Sequence, residues 1–445
     1  MGNSQHNINR KTEEQNILQN PHEGEASQFY WACRNGDVEH VKELLNTIPY
    51  QDLNRLEPNG STPLHAASYN GHSIIVGLLL RERGCQRDRV NRHGLTAYEE
   101  AQTEEIRQLF YRPSERNRFC EEDDDDSNDS IGNRFTVNVK KEEKEDDEKP
   151  DDFAYDQWLV GYETSEEIEW VKADFAAGKA ICQKFIPYLS DKQCGSLTHI
   201  LQQNFSEELD KLICEHIPKT HREFEKCKML IQKAFDKQQL QPEYLLRLYT
   251  LETPVYGALS KDAGPLFHPL LFALNQLKPR HFQGTSYRGV KMVEEDLHAY
   301  RWAMKSRGAI ETRTFCSTSL DRSVAARFAG INRPINNERR SVLMAFNFPQ
   351  PCDTAFNLGK ISAELSCVSE YENEAEVLML PSTLFIVRQI ETAANYVTIQ
   401  LENIETKPKS RSAYFKAFFK NMKRNASITI GSKTYYAKEH PSLLR

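Results

Sequence analysis

The chain has 445 residues, of which 39% are hydrophobic and 10% aromatic, and its formal net charge is -7 at pH 7. This length and composition allow two or three domains with hydrophobic cores, which excludes a wholly disordered protein. The mildly acidic balance does not favour general nucleic-acid binding. The ten cysteines form no C-x-x-C pair, so a zinc ribbon or a thioredoxin-like site has no support.

The first 25 residues are polar, and we expect a disordered arm there. This segment lacks the apolar core of a signal peptide, and no uncharged run in the chain approaches the length of a membrane span. These features favour a cytoplasmic protein. Gly2 is the residue that N-myristoylation requires, but position 6 is His6 instead of Ser or Thr, so lipidation is not favoured.

Two sequence phrases recur over residues 26–112. WACRNGDVEHVKELL (31–45) aligns with HAASYNGHSIIVGLL (65–79), which places Gly36 and Gly71 at equivalent positions 35 residues apart. EPNGSTPLHAA recurs one repeat later as NRHGLTAYEEA. A period near 33 residues with the phrase TPLHAA is the signature of ankyrin repeats. We therefore predict an all-α ankyrin repeat stack that binds an unidentified protein partner and whose outer repeats act as caps.

Two segments of opposite charge flank the second half of the chain. Residues 121–150 contain 13 acidic and 5 basic residues and lie within a predicted acidic linker, 113–152. The basic tail, 406–445, contains ten Lys or Arg residues and one Glu, with aromatic residues on one helical stripe over 415–422. This tail either packs on the domain as a helix, stays a simple basic tail, or contacts the acidic linker or an anionic membrane.

Between the linker and the tail, the predicted secondary structure changes from helices to strands. Residues 153–239 have helical periodicity, and helical segments with Pro and Gly breaks follow. After about Gly284, six segments have strand character: TSYRGVKM, TRTFCSTSL, RRSVLMAFNFP, EAEVLML, TLFIVRQIE and YVTIQLENI. We therefore predict an α+β domain over 240–405, with a helical N-terminal part and a two-sheet β core.

Three short motifs occur in order at the edges of these strands. SYRGV contains Arg288, FCSTS contains Ser317, and ENEAEVL contains Glu374 and Glu376. If the last motif is a strand, the two carboxylates share one face, and we expect that face to be wet because buried like charges repel each other. Each motif alone is weak, but their order and their flanks make the set specific.

With the longer flanks FCSTSLDRSVAARFA and EAEVLMLPSTLFIV, and the upstream LYTLETPVYGAL, the set resembles the arginine-specific mono-ADP-ribosyltransferases. This R-S-E class includes vertebrate-type ecto-enzymes and clostridial binary toxins. The resemblance covers roughly residues 240–405. It implies that NAD is the substrate, that no metal is used, and that one ADP-ribose is transferred to an accessible arginine of a protein substrate as nicotinamide leaves. The lack of obvious disulfide pairing departs from the ecto-enzymes.

The resemblance also implies a role for each motif residue. Glu376 would stabilise the positive charge that develops on the ribose and hold its 2′-hydroxyl. Glu374 would receive the attacking guanidinium and accept its proton. Arg288 would donate to the pyrophosphate of NAD, and Gly289 would bind the nicotinamide carboxamide through its backbone. Ser317 would orient the catalytic glutamate.

Four neighbouring residues have weaker assignments. Thr318 and Ser319 would support the strand and the polarity of the site. Phe328 would stack on nicotinamide, or else belong to the core on a helix over 322–329. Arg333 would contact phosphate, or else face solvent.

Two other functions remain open at this stage. An NAD glycohydrolase would use water as the acceptor, although water needs no guanidinium partner such as Glu374. A non-catalytic ankyrin adaptor would keep an inactive transferase domain. A kinase or a dinucleotide dehydrogenase is not favoured, because the chain has neither a Walker loop nor a G-x-G-x-x-G motif.

Overall fold

The computed structural model describes residues 2–22, 24–112, 159–162, 164–180, 182–183, 196–236, 239–331, 339–405, 427–430 and 433–436. The N-terminal part is all-helical. Its helices are α1 (Gly2–Gln19), α2 (Gln28–Asn35), α3 (Val38–Leu45), α4 (Tyr50–Leu53), α5 (Pro63–Tyr69), α6 (Ser73–Arg81) and α7 (Glu104–Leu109).

Local chemistry explains the repeat helices. The side chain of Thr62 caps α5 by accepting from the backbone N–H of His65, and Pro63 takes the first helical position, where its missing N–H costs nothing. Gly36 ends α2 in the left-handed conformation, with φ of 78°. Ala67 is fully buried in the cluster between the helix pairs. The predicted ankyrin stack is therefore present.

Helix α1 corrects the expectation of a disordered arm over residues 1–25. Glu14 forms a bidentate ion pair with Arg89 of the stack, with N–O distances of 2.9 and 3.1 Å. Lys11 lies 3.9 Å from Asp236. The segment has no apolar stripe to reveal a helix in its sequence, and these ion pairs join residues far apart in the chain.

The second part of the chain combines helices with a large sheet, as the α+β prediction requires. Its helices are α8 (Ser165–Ala180), α9 (Ser196–His216), α10 (Phe224–Phe235), α11 (Pro242–Thr250), α12 (Val255–Lys261), α13 (Gly264–Phe272), α14 (Glu294–Ser306) and α15 (Arg322–Ala329). Its strands are β1 (Leu159–Tyr162), β2 (His281–Met292), β3 (Ala309–Thr312), β4 (Cys316–Ser319), β5 (Arg340–Asn357), β6 (Glu376–Met379), β7 (Leu384–Thr392) and β8 (Tyr396–Asn403).

These eight strands form one hydrogen-bonded sheet in the order β1-β3-β7-β8-β5-β2-β4-β6. The long strand β5 pairs in parallel with β8 near its start, where Ser341 faces Tyr396. It pairs with β6 near its end, where Ala355 faces Met379. The two sheets that the sequence predicted are therefore joined through β5 into one network.

The region predicted as separate and helical, 153–239, belongs to the same unit. Strand β1 lies inside it and pairs with β3 at the edge of the sheet. One hydrophobic cluster contains Leu209 of α9, Leu230 of α10, Leu245 of α11 and Leu378 of β6. The predicted boundary at 239–240 therefore divides a continuous core. Amphipathic periodicity identified these helices but not the sheet face that they cover.

Beyond this unit, β9 (Ser427–Ile430) and β10 (Lys433–Tyr436) form an antiparallel pair within the tail. The aromatic stripe at 415–422, the acidic linker 113–152 and Arg333 lie outside the described residues. Among the helices of the described ranges, none is long and apolar enough to cross a membrane.

Candidate active site

A narrow cleft lies where β2, β4 and α15 meet the short 3-10 turn Glu372–Glu374. It brings together residues from motifs that are widely separated in the sequence. The cleft is lined by Tyr287, Arg288, Gly289, Ser317, Thr318, Ser319, Val324, Ala325, Phe328 and Glu374.

Glu376 lies beside this cleft as part of a cross-strand row. Tyr287 of β2 faces Ser319 of β4, and Ser319 faces Glu376 of β6. Cross-strand partners project to the same face of a sheet, and Ser317, two residues along β4, shares that face. The Oε2 atom of Glu376 accepts from Ser369 Oγ at 3.0 Å. Glu376 is only 1% exposed, so the expectation of a wet face is wrong.

Glu374 does not share a strand with Glu376. It ends the 3-10 turn, Ala375 follows in the left-handed conformation with φ of 44°, and the strand begins only at Glu376. Ser319 Oγ donates to the Glu374 carbonyl at 2.6 Å, and the Leu320 N–H donates to the Ala375 carbonyl at 3.0 Å. These bonds hold a backbone conformation that is uncommon outside glycine and asparagine. The two carboxylates therefore have different surroundings.

The partner of the Glu374 carboxylate is Arg112, the last residue of the ankyrin region 26–112. Arg112 Nε donates to Oε1 at 2.8 Å and Nη2 donates to Oε2 at 3.2 Å, and each side chain is only 4% exposed. Nη2 also lies 3.5 Å from the Thr250 carbonyl, and the guanidinium lies 3.9 Å from the centroid of the Tyr371 ring. Burial alone would lower the pKa of Arg112, but the Glu374 carboxylate raises it well above its ordinary value.

Further ion pairs join the ankyrin stack to the segment before Glu374. Arg87 lies 3.3 Å from Glu370 and 4.8 Å from the Tyr371 ring centroid. Arg247 of α11 lies 3.6 Å from Asp88 and 3.4 Å from Glu370. Burial would raise the pKa of Asp88, but Arg247 and other nearby cations lower it to about 2. The Tyr371 ring therefore contacts two cations of the ankyrin region, Arg87 and Arg112.

The Arg288 and Ser317 motifs contact each other directly. Arg288 Nη1 donates to the Ser317 carbonyl at 2.8 Å, and Ser317 Oγ donates to the Tyr249 hydroxyl at 3.3 Å. Thr318 Oγ1 lies 2.8 Å from the Val377 carbonyl, which matches its expected support of the strand. The roles of Arg288 at the pyrophosphate and of Ser317 at the catalytic glutamate stay predictions.

Helix α15 closes one side of the cleft. A Cβ atom at Gly289 would lie 1.8 Å from the Ala325 carbonyl oxygen and 2.6 Å from the Ala329 nitrogen, so only glycine allows α15 to approach β2 this closely. Phe328 of α15 is half-buried, lines the cleft and lies outside the hydrophobic clusters. This position favours the cleft over the core for Phe328, and its stacking on nicotinamide stays a prediction.

Sequence reasoning missed three residues of this site. Tyr371 precedes Glu374 by three residues, and its aromatic ring was the available signal. Tyr249 lies in the upstream segment LYTLETPVYGAL but had no assigned role. Arg112 gave no signal, because it lies 262 positions before Glu374 in the chain.

Within the described part of the chain, no group of three or more His, Cys, Asp or Glu side chains could hold a metal ion.

Comparison with known proteins agrees with both halves of this description. Residues 13–109 match the model of ankyrin repeats (3 copies), which confirms the predicted stack. The chain is 28% identical over 158 residues to the putative NAD(+)–arginine ADP-ribosyltransferase Vis of Vibrio splendidus, which is 36% of this chain and 57% of Vis. This similarity confirms the resemblance to ADP-ribosyltransferases that the motifs predicted.

Another relative is the NAD-capped RNA hydrolase NUDT12 of Macaca fascicularis, 36% identical over 81 residues, which are 18% of this chain and 17% of that protein. The chain thus spans about half of Vis and about a sixth of NUDT12. Among solved structures, it is similar to the ADP-ribosyltransferase HopU1 of Pseudomonas syringae pv. Tomato, with 13% identity and a TM-score of 0.32. That match covers 46% of this chain and 97% of HopU1.

Proposed function

We propose that this protein transfers one ADP-ribose from NAD to an arginine side chain of a protein acceptor and releases nicotinamide. One observation carries the proposal: Glu374, the acid expected to receive the acceptor, pairs through both oxygens with a buried guanidinium. A bidentate carboxylate site matches the planar fork of arginine better than it matches water or lysine. The similarity to Vis supports the same activity.

Two acids would share the reaction: Glu376 would act on the ribose of NAD, and Glu374 would act on the acceptor. Breaking the bond between ribose and nicotinamide develops positive charge on the sugar, as in glycoside hydrolysis. Glu376, buried beside the cleft, would stabilise that charge in surroundings of low dielectric constant, where the interaction is strong. Arg288 would donate to the pyrophosphate, while Phe328 would cover the nicotinamide.

The second acid would act on the acceptor. An arginine is a poor nucleophile while it is fully protonated, so a carboxylate must both hold it and accept a proton as the new bond forms. Glu374 meets this requirement because its two oxygens can hold Nε and one terminal nitrogen of the guanidinium. The ankyrin stack would recruit the protein acceptor, and a cytoplasmic setting belongs to the same proposal.

Nicotinamide release from NAD by the purified full chain tests this function, with and without agmatine as a small acceptor. We expect agmatine to stimulate release, and we expect Glu376→Gln to abolish it. Glu391→Gln is the matched control, because Glu391 is an exposed carboxylate on β7 whose change should leave release unaltered.

Two other results would contradict the proposal. Release that agmatine does not change, with free ADP-ribose as the product, would identify an NAD glycohydrolase. No release from the unmodified chain, from Glu391→Gln or from Arg112→Ala, which removes the guanidinium paired with Glu374, would indicate an adaptor without catalysis.

A further inference from the structure

Arg112 occupies the site that the proposed function reserves for an acceptor arginine. Its Nε and Nη2 atoms bind the two oxygens of Glu374, its plane lies on Tyr371, and Nη2 approaches the Thr250 carbonyl. A protein acceptor cannot reach Glu374 while this side chain is in place. The occupant is an arginine, the very chemical group that the enzyme would modify.

The contact between Arg112 and Glu374 is buried and supported by neighbouring residues. Both side chains are almost fully buried, at 4% exposure each, whereas most surface ion pairs are solvated and weak. Arg87 also contacts the Tyr371 ring, 4.8 Å from its centroid, and it pairs with Glu370. The stack therefore holds its own arginine against the candidate active site through several independent contacts.

The pairing with Glu374 does not use the Nη1 atom of Arg112. Glu374 binds the side of the guanidinium formed by Nε and Nη2. Among the described residues, none forms a hydrogen bond with Nη1. A terminal nitrogen attacks when arginine is the acceptor, and Glu374 leaves Nη1 for that role while it binds Nε and Nη2.

We propose that Arg112 is the first acceptor of this enzyme and is ADP-ribosylated by its own chain. This inference rests on the proposed function. In the reaction, Nη1 forms a bond to the C1 atom of the ribose that bears nicotinamide. The bond between C1 and the nicotinamide nitrogen breaks, and neutral nicotinamide leaves with its electron pair. The guanidinium loses one proton, which Glu374 accepts and passes to water.

The modification would open the acceptor site. The attached ADP-ribose adds two negative phosphates to the side chain that pairs with Glu374, and like charges in a buried setting repel each other strongly. The modified side chain is also too large to return to a site where Arg112 is almost fully buried. Glu374 then becomes accessible to an arginine of another protein.

Peptide mass spectrometry of the full chain, incubated with NAD and no other acceptor, tests the inference. We expect ADP-ribose on Arg112 in the unmodified chain and its complete loss in Glu376→Gln. Arg112→Lys keeps a positive charge for Glu374 but removes the guanidine, so the site should stay unmodified. Arg107→Lys is the matched control, because the Arg107 side chain on α7 is 41% exposed and pairs with Glu104. In this variant Arg112 should be modified normally.

A second measurement separates transfer within one chain from transfer between chains. The rate of Arg112 modification per chain should not change when the protein is diluted. Glu376→Gln mixed with active Arg112→Lys should keep an unmodified Arg112. Modification of Glu376→Gln in this mixture would overturn transfer within the chain.

A third measurement follows the opening of the site. Transfer to agmatine should begin with a lag in the unmodified chain, and earlier incubation with NAD should remove that lag. Arg112→Ala, which lacks the occupant, should show no lag.

The outcomes distinguish this inference from the proposed function. Agmatine modification without any modification of Arg112 would overturn the inference and leave the transferase activity standing. No nicotinamide release from the unmodified chain, Arg112→Lys or Arg112→Ala, with or without agmatine, would overturn both.

Discussion

Glu374 and Glu376 are separated by one residue but belong to different elements. Glu376 begins β6 and faces Ser319, whereas Glu374 ends a 3-10 turn and faces Arg112. The left-handed Ala375 between them turns the chain. The strand therefore positions one carboxylate toward the row of cross-strand hydroxyls, while the turn positions the other toward a guanidinium. This separation keeps the two carboxylates from repelling each other across one face, as the proposed division of their roles requires.

The first prediction at the residue scale concerns Glu374→Gln. The amide keeps the shape of the side chain but can neither balance a guanidinium nor accept its proton. Transfer to agmatine should fall at least about 100-fold, the usual size of a lost general base. NAD hydrolysis should stay close to that of the unmodified chain, because Glu376 is unaltered. Separation of free ADP-ribose from ADP-ribosyl-agmatine by chromatography measures both, and an equal loss of both would contradict the division of roles.

Gly289→Ala is the second prediction. The added methyl would lie 1.8 Å from the Ala325 carbonyl oxygen, so α15 must move away from β2. We expect a loss of about 1–3 kcal/mol in the free energy of unfolding, typical of overpacking, together with weaker NAD binding as Phe328 shifts. Denaturant unfolding measures the first effect and NAD titration the second.

Gly257→Ala is the control for this change. Gly257 lies inside α12, and a Cβ there would meet nothing within 4 Å. Because alanine favours a helix interior over glycine, this variant should be more stable by about 0.5–1 kcal/mol. An equal loss of stability in both variants would contradict the steric explanation for Gly289.

At the scale of elements, the helices and strands with a strong repeat or apolar pattern in their sequence could be predicted. The ankyrin helices were predicted from a repeat, and β2 and β4 to β8 from alternating apolar residues. Strands β1 and β3 have only four residues each and lie next to helices, so no separate strand was predicted for them. Glu374 was assigned to a strand because nothing in its sequence reveals the left-handed Ala375. Arg112 was missed because long-range ion pairs leave no local pattern.

Helix α5 gives the third prediction, through the buried His65. Burial lowers the pKa of His65 to about 4, while its ring contacts Thr62 Oγ1 at 2.7 Å and the Leu95 carbonyl at 3.0 Å. Between about pH 6.5 and pH 4 the unfolded chain therefore binds a proton that the folded chain does not, so stability decreases as the pH falls through this window. The loss should approach about 3 kcal/mol near pH 4.

Denaturant unfolding between pH 7 and pH 4 measures this dependence. His65→Gln can still donate to the Leu95 carbonyl but cannot titrate, so its stability should change less with pH than that of the unmodified chain. An identical pH dependence in the two proteins would show that His65 is not the group responsible.

At the scale of the whole molecule, buried charges join the ankyrin stack to the α+β unit. Glu370 contacts Lys226 at 2.5 Å, Arg87 at 3.3 Å and Arg247 at 3.4 Å, and Arg247 reaches Asp88 in the stack. Desolvated ions are stable only when they are paired, and removal of one partner leaves the others uncompensated. This network fixes the stack against the turn that bears Glu374, and it therefore determines where Arg112 lies.

The last prediction tests that network through Asp88→Asn. Burial would raise the pKa of Asp88, but Arg247 and nearby cations lower it from 3.8 to about 2. Such a carboxylate stabilises the fold above about pH 4, and its contribution is lost as the pH falls through about 2. At pH 7 the variant should therefore lose about 2 kcal/mol of unfolding free energy, with a smaller difference near pH 3. Asp52→Asn, on the exposed side of α4, should change little at either pH.

The Asp88→Asn variant also tests where the network holds Arg112. If Asp88→Asn weakens the contact between the ankyrin stack and the α+β unit, Arg112 also leaves Glu374 more often, so the lag before agmatine transfer should shorten. Loss of stability with an unchanged lag would mean that Asp88 supports the fold without holding Arg112 in the acceptor site.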